Sequence, residues 1–315
     1  MIAGPRKHLG RIADRSATVL AFLWTAALRV RLTIQDRFVP VSTIYYATPI
    51  IVLAGGAGLT ALLFLSCRRR GRALCSACAA LGCLIWWHQV SYVSHPGNAG
   101  EKGLRILVWN TADDATRRAG IIAQIRQADP DIIALNEFGD GTDEEIGLLR
   151  AAFPGYELSD VYYGLILLVR GELVEITNGE LGPRGKYKHA VVRIGGQSLN
   201  IIQPEIKSNP FRSRATAWQR LNEVAGPLLD QPTMILGDTN TPTDSIHVQW
   251  VRERFVNAFE QAGNGHYVTW PMPCPVLAID HAWVNRYLRV TRCELLWTRW
   301  SDHRPILLEV VPAGG

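Results

Sequence analysis

Leu236-Gly237-Asp238-Thr239-Asn240-Thr241-Pro242 closes one apolar run, Ile279-Asp280-His281 stands on another, and Ser301-Asp302-His303-Arg304-Pro305 begins twenty-one residues after Asp280. Each block sets carboxylate, amide or imidazole side chains beside a short stretch of Ile, Leu and Val. Two earlier runs repeat the pattern: Leu104–Val108 leads to Trp109-Asn110, and Asp131–Leu135 leads to Asn136-Glu137. Oxygen-rich side chains gathered at strand ends can hold a hard divalent cation and aim a water molecule.

Working outward, short apolar runs alternate with helical stretches from Leu104 onward, which predicts an α/β or mixed α+β fold. Residues 115–128 have helical periodicity and are stopped by Asp129-Pro130. Residues 164–170 read as a strand. Ala190–Ile194 and Leu199–Ile202 flank Gly195-Gly196 as a hairpin. A helix over 213–229 leads into strand Thr233–Leu236, and the last expected pairing joins 279–284 to 288–296.

The front of the chain differs. Residues 43–66 and 73–93 carry no charge, each is long enough to span a bilayer, and Trp86, Trp87 and Tyr92 suit an interface. Arg68-Arg69-Arg70-Gly71-Arg72 lies between them. Segment 17–34 reads either as a third span, with Arg29 and Arg31 snorkelling, or as part of an interfacial helix over 11–34. The expectation is a membrane anchor over 1–93, a linker over 94–103 and a catalytic domain over 104–315. Keeping the arginine loop cytoplasmic sends that domain across the membrane, and three spans would leave Arg6, Lys7, Arg11 and Arg15 on the loop's side.

Charge follows the same division. Residues 1–103 carry 12 Lys/Arg against 3 Asp/Glu, and residues 104–315 carry 21 against 25. The overall surplus of +5 therefore belongs to the membrane-proximal part, and a broad phosphate-neutralising surface on 104–315 is disfavoured. Cys75-Ser76-Ala77-Cys78 has zinc-like spacing but apolar surroundings and no second ligand pair, so packing is the expectation.

The ordered blocks resemble the endonuclease/exonuclease/phosphatase superfamily over residues 104–311. That resemblance implies a four-layer sandwich, two mixed sheets face to face with helices outside, and Mg2+ or Mn2+ as cofactor. It implies that Glu137, Asn110 and Asp302 serve the metal and that Asp238 orients or deprotonates the attacking water. Asn240 would donate to a phosphate oxygen, and His303 would stabilise the phosphoryl charge with Asp280 fixing its tautomer. His281 should point to the other face and be structural. Lys188, Arg212 and Trp270 are the candidate substrate contacts.

The implied function is hydrolysis of a phosphodiester or phosphomonoester in nucleic acid or a phospholipid headgroup, by an integral membrane protein with an extracytoplasmic catalytic domain. Membrane lipid is the other expected partner, and no protein partner is implied. One departure stands out: where many relatives carry a histidine, Ser198–Pro210 offers Gln203 or Glu205. That departure motivates the alternative, a catalytically weakened domain kept for binding or scaffolding.

Overall fold

The inner faces of the strands explain the architecture. Ile106, Val108 and Asn110 share one face of their strand, as do Ile132, Ala134 and Asn136, while Leu107, Trp109, Ile133 and Leu135 take the other, the two-residue period of a pleated strand. Both faces are apolar, so both must be covered.

The computed structural model describes residues 5–95, 103–183, 185–209 and 211–314. Most of the expected linker, 96–102, lies outside the described residues, as do the side chains of Arg6 and Lys7. The chain divides into two units, residues 1–92 with 210–213, and residues 93–209 with 214–315.

In the second unit, one sheet has the strand order Leu288–Leu295, Ile306–Pro312, Leu104–Asn110, Ile132–Asn136, Ile166–Val169, Glu157–Leu158. The other runs Phe255–Asn257, Asp280–Asn285, Thr233–Asp238, Gln197–Ile206, Gly185–Ile194, Glu172–Glu180. Each sheet is mixed. Leu104–Asn110 is parallel to Ile132–Asn136, Gln197–Ile206 is parallel to Thr233–Asp238, and the other pairs are antiparallel. Between the sheets lies a core of Ile106, Val108, Ile132, Ala134, Ile201, Met234 and Leu236 among others. Helices Arg118–Ala128 and Asp143–Ala152 cover the outer face of the first sheet, and Ala215–Ala225 covers that of the second. Two mixed sheets flanked by helices are thus observed.

Gly195 and Gly196 take positive φ of 58° and 80°, which a two-residue turn between twisted strands needs. The strands they join extend further than expected, over Gly185–Ile194 and Gln197–Ile206.

The expected pairing of 279–284 with 288–296 is corrected: these segments enter different sheets. Asp280–Asn285 pairs with Thr233–Asp238 and Phe255–Asn257, and Leu288–Leu295 pairs with Ile306–Pro312. The buried Asn285 amide pins the crossing. It donates to Gln231 O at 2.6 Å and accepts from Thr233 N at 3.2 Å and Tyr287 N at 3.3 Å. Leu288, Val290 and Cys293 then face the same core from the opposite side. Helix Asp143–Ala152, which the strand–helix reading passes over, carries a legible capping box of Thr142 and Glu145.

In the first unit, helices span Pro5–Thr33, Val39–Ala47, Ile50–Ser66 and Arg70–Ser91. Segment 43–66 is not one rod. Pro49 cannot donate a backbone hydrogen bond, and the helices on either side of the Thr48-Pro49 break are bent by 70°. By length and composition, Arg70–Ser91 suits a membrane crossing, and the bent pair suits a broken span or a re-entrant loop. Segment 17–34 lies almost wholly in the Pro5–Thr33 helix. Arg31 there is buried rather than snorkelling, donating to the Tyr45 and Thr48 carbonyls at 3.3 Å with its guanidinium 4.5 Å from the Tyr45 ring centroid.

Where Gln197–Ile206 and Thr233–Asp238 run side by side, Gly237 lies against Pro204, and a Cβ at Gly237 would collide with the Pro204 carbonyl oxygen. Gly237→Ala is expected to cost about 1–3 kcal/mol of stability, read as a lowered unfolding midpoint.

Candidate active site

Along each central strand the inner face changes from apolar to polar at the same end of the sandwich. Ile106 and Val108 give way to Asn110, Met234 and Leu236 to Asp238, and Val284 and Ala282 to Asp280. Leu199 and Ile201 likewise give way to Gln203 and Glu205, both buried. The parallel pairs align these ends, with Asn110 beside Asn136 and Glu205 beside Asp238.

Asn110 joins the two sheets. Its Nδ2 donates to Glu137 Oε1 at 3.0 Å and to Asp238 Oδ2 at 2.9 Å, while its Oδ1 accepts from Ala112 N at 2.9 Å. The backbone donor at Ala112 fixes which end of the amide is oxygen. Asn110 therefore presents N–H groups to the two carboxylates and brackets them.

Asp238 is held by three donors. Oδ1 accepts from Asn240 N at 2.7 Å, and Oδ2 accepts from Asn240 Nδ2 at 3.0 Å as well as from Asn110. The second amide proton of Asn240 goes to Ile206 O at 2.9 Å. Both Asn240 amide protons are thus engaged, and one of them orients Asp238. The strand ends at Asp238, and Asn240 has φ 48°, so the pair shares a turn and not one strand face. Ala112, Asp113, Glu137 and Tyr163 also take positive φ in the chain turns at this end, a concentration of backbone strain of the kind found at functional sites.

His303 lies against Asp280, its Nδ1 donating to the carboxylate at 2.9 and 3.0 Å. Ser301 fixes the loop, accepting from His303 N at 3.0 Å and donating to Asn110 O at 2.8 Å. The Trp109 indole N–H donates to His303 O at 3.0 Å. Burial opposes a charged imidazole here, but the Asp280 carboxylate, its hydrogen bond and the charges of Asp238 and Asp302 outweigh it and raise His303 to about 10. Burial, followed by the nearby Asp280 charge, pushes Asp238 well above the usual carboxylate range. The site thus pairs an imidazolium with a carboxylate made more basic.

Asp302 is oriented by Trp270, whose indole N–H donates to Oδ2 at 2.9 Å. Its Oδ1 is turned inward, buried with no hydrogen-bond partner among the described residues and 3.9 Å from His303 Nε2. Trp270 is therefore at the site, as a hydrogen-bond donor to Asp302. His281 faces away, its Nε2 2.8 Å from Thr241 O and its Nδ1 3.2 Å from the Tyr267 hydroxyl.

Other expectations need correction. Lys188 is fully buried, with Nζ on Asp160 Oδ1 at 2.7 Å and Asn178 Oδ1 at 2.9 Å, and burial lowers its pKa despite Asp160. An ammonium held this way ties strands together and is not a phosphate contact. Arg212 is exposed on the 210–213 segment, which groups with the first unit. Gln203, one of the two positions offered for the absent histidine, is buried between the sheets, and its Nε2 donates to Leu135 O at 2.7 Å. Sequence reasoning missed the Lys186–Glu205 ion pair, 2.8 Å. Alternation from Leu199 and Ile201 was the signal that could have placed Glu205 at the site.

A model of the Endonuclease/Exonuclease/phosphatase family matches residues 107–303. The chain belongs to this family. Three solved structures share its fold. A humanized D. rerio TDP2 is 18% identical, with 67% of this chain and 100% of that chain covered at a TM-score of 0.57. A Bacteroides thetaiotaomicron mannosyl-6-phosphatase is 16% identical, with 66% and 99% covered at 0.54. The human Nocturnin catalytic domain, solved with a bound sulfate anion, is 19% identical, with 67% and 94% covered at 0.54. No curated protein matches the sequence.

The family generally uses a divalent metal, and the donor set here fits one. Glu137 and the orphaned Asp302 Oδ1 offer the hard oxygen that Mg2+ or Mn2+ prefers. Ligand atoms of Asp238, Asp280 and His303 also lie within 4.8 Å of one another, close enough to reach one ion. His303 there is already held by Asp280 through Nδ1, so the two carboxylates are the oxygen donors of that group.

His281 gives a pH test. Burial, partly offset by the hydrogen bond to Thr241, holds it down to about 4, whereas an unfolded histidine titrates near 6.5. The unfolded chain therefore binds the proton first as pH falls. The stabilising difference is complete above about pH 6.5 and declines by up to about 3 kcal/mol as pH drops through 4. Thermal unfolding across this window should show that decline in the wild type and a flatter slope in His281→Asn.

Proposed function

We propose that this family member is a divalent-metal-dependent phosphoesterase carried at a membrane by its N-terminal helices. The observation that carries the reading is the single amide, Asn110 Nδ2, shared by Glu137 and Asp238 beside the Asp280–His303 pair. When bound, Mg2+ or Mn2+ neutralises charge at a phosphate oxygen. Asp238, fixed by Asn110 and Asn240, aims the attacking water and takes its proton. His303, held charged by Asp280, donates its Nε2–H to the phosphoryl oxygen as negative charge develops there. Asp302, oriented by Trp270, faces the same space.

Substrates of this class are in keeping with the named neighbours: one is a mannosyl-6-phosphatase, and D. rerio TDP2 has been solved with a single-strand DNA product. For this chain the mild acidity of 104–315 favours a compact phosphate ester over a long nucleic-acid track. A binding-only domain was motivated by the absent histidine. Gln203, one of the two positions offered for it, ties the sheets together, and the charged network supports hydrolysis. Glu137→Gln should lower hydrolysis of a generic phosphodiester by about 100-fold or more. Unchanged activity in a chelator would defeat the metal reading.

The anchor reading rests on exposed apolar side chains across the first unit. Phe22, Leu62, Leu74 and Val90 are each at least 60% exposed, a surface that water does not favour and lipid does. With Arg68–Arg72 cytoplasmic, the second unit lies on the extracytoplasmic side. A reporter fused after Gly315 should then behave as extracytoplasmic, and a cytoplasmic signal there would reverse the orientation.

A further inference from the structure

We infer that Glu205 is a further ligand for the divalent cation, acting with Glu137 through its free carboxylate oxygen; this rests on the metal-dependent reading above.

The inner face of the second sheet places Glu205. Cross-strand pairs Val192–Leu199 and Ala190–Ile201 line the core, and the next pairs on that face are Lys188–Gln203 and Lys186–Glu205. Contacts to the first sheet advance in step. The Gln203 amide donates to Leu135 O, and the Pro204 carbonyl accepts from Asn136 Nδ2 at 2.9 Å. Glu205 comes next on one strand and Glu137 lies just beyond Asn136 on the other. On its other side Glu205 stands opposite Asp238 in parallel register.

A second line of contacts closes on Glu137. Lys186 Nζ holds Glu205 Oε1 at 2.8 Å and also donates to the Tyr163 carbonyl. The adjoining Gly164 lies so near that a Cβ there would sit 3.2 Å from Glu137 Cα.

What remains is Oε2. The Glu205 side chain is 9% exposed, and Oε2 is buried with no hydrogen-bond partner among the described residues. A structural ion pair would be expected to satisfy both oxygens, because an unmatched buried acceptor is unfavourable. A divalent cation answers that geometry. Glu205 Oε2 would give such a cation an anionic oxygen, which the Asn110 amide does not, since that amide turns N–H groups towards Glu137.

The test uses the full-length protein in detergent with Mn2+ alone as probe, free Mn2+ being counted by its electron paramagnetic resonance signal. Glu205→Gln keeps the shape and removes the charge, and it should weaken Mn2+ binding by about tenfold or more, as Glu137→Gln should. Thermal unfolding in chelator separates this from misfolding. Lys186→Met leaves Glu205 in place and frees its second oxygen, so it should tighten Mn2+ binding. Wild-type affinity in both Glu205→Gln and Lys186→Met would overturn the assignment while leaving Glu137 as ligand. Absence of Mn2+ binding to the wild type would instead overturn the metal-dependent reading itself, and the Glu205 assignment with it.

Discussion

One amide nitrogen holds the two halves of the candidate site together. Asn110 ends a strand of the first sheet, and its Nδ2 donates to Glu137 from the same sheet and to Asp238 from the other. Two carboxylates brought this near each other repel, and a shared donor offsets part of that repulsion. The arrangement depends on sheet topology. Each sheet has one central parallel pair, and parallel strands finish at the same end. That is why side chains far apart in sequence meet at one edge of the sandwich.

The charges there are arranged to be unequal. Asp280 commits both oxygens to His303 and keeps the imidazole cationic, while Asp238 is buried beside that pair and made more basic. Neither effect belongs to a residue alone. Separate the sheets, and Asp238 returns to water and His303 loses its partner. Fold stability and site electrostatics are therefore coupled, since the sheet packing that buries the core also sets the proton affinities.

Around this network, polar side chains are buried at positions where an ordinary core would be apolar. Asn136, Lys188 and Asn285 have firm partners, as does the Nε2 of Gln203. Such groups are unfavourable to bury unless their hydrogen bonds are made, and when made they fix one register. Lys188 and Gln203 face each other across adjacent strands, locking the sheets just below the site.

The sequence by itself determined the alternation of strands and helices and most of the cast. The unbroken apolar runs Ile106–Trp109 and Ile132–Leu135 prescribe strands buried on both faces, and the acidic and amide residues that follow them declare the functional edge. The Gly195-Gly196 turn was legible because few other dipeptides tolerate two positive φ values. Roles were decided only by tertiary structure. Asn110 and Asn240 stand out as polar ends of apolar runs, and only the folded chain shows that both amides hold Asp238. Lys188 looks like a phosphate contact until Asp160 is found against it, and Glu205 looks like a substitution for histidine until its neighbours across two strands are known. Residues 279–284 and 288–296 look like a hairpin because they are adjacent, yet the turn at Asn285 sends them to opposite sheets. Pattern along a chain fixes which face a side chain takes, but what it meets there depends on partners that arrive from remote segments.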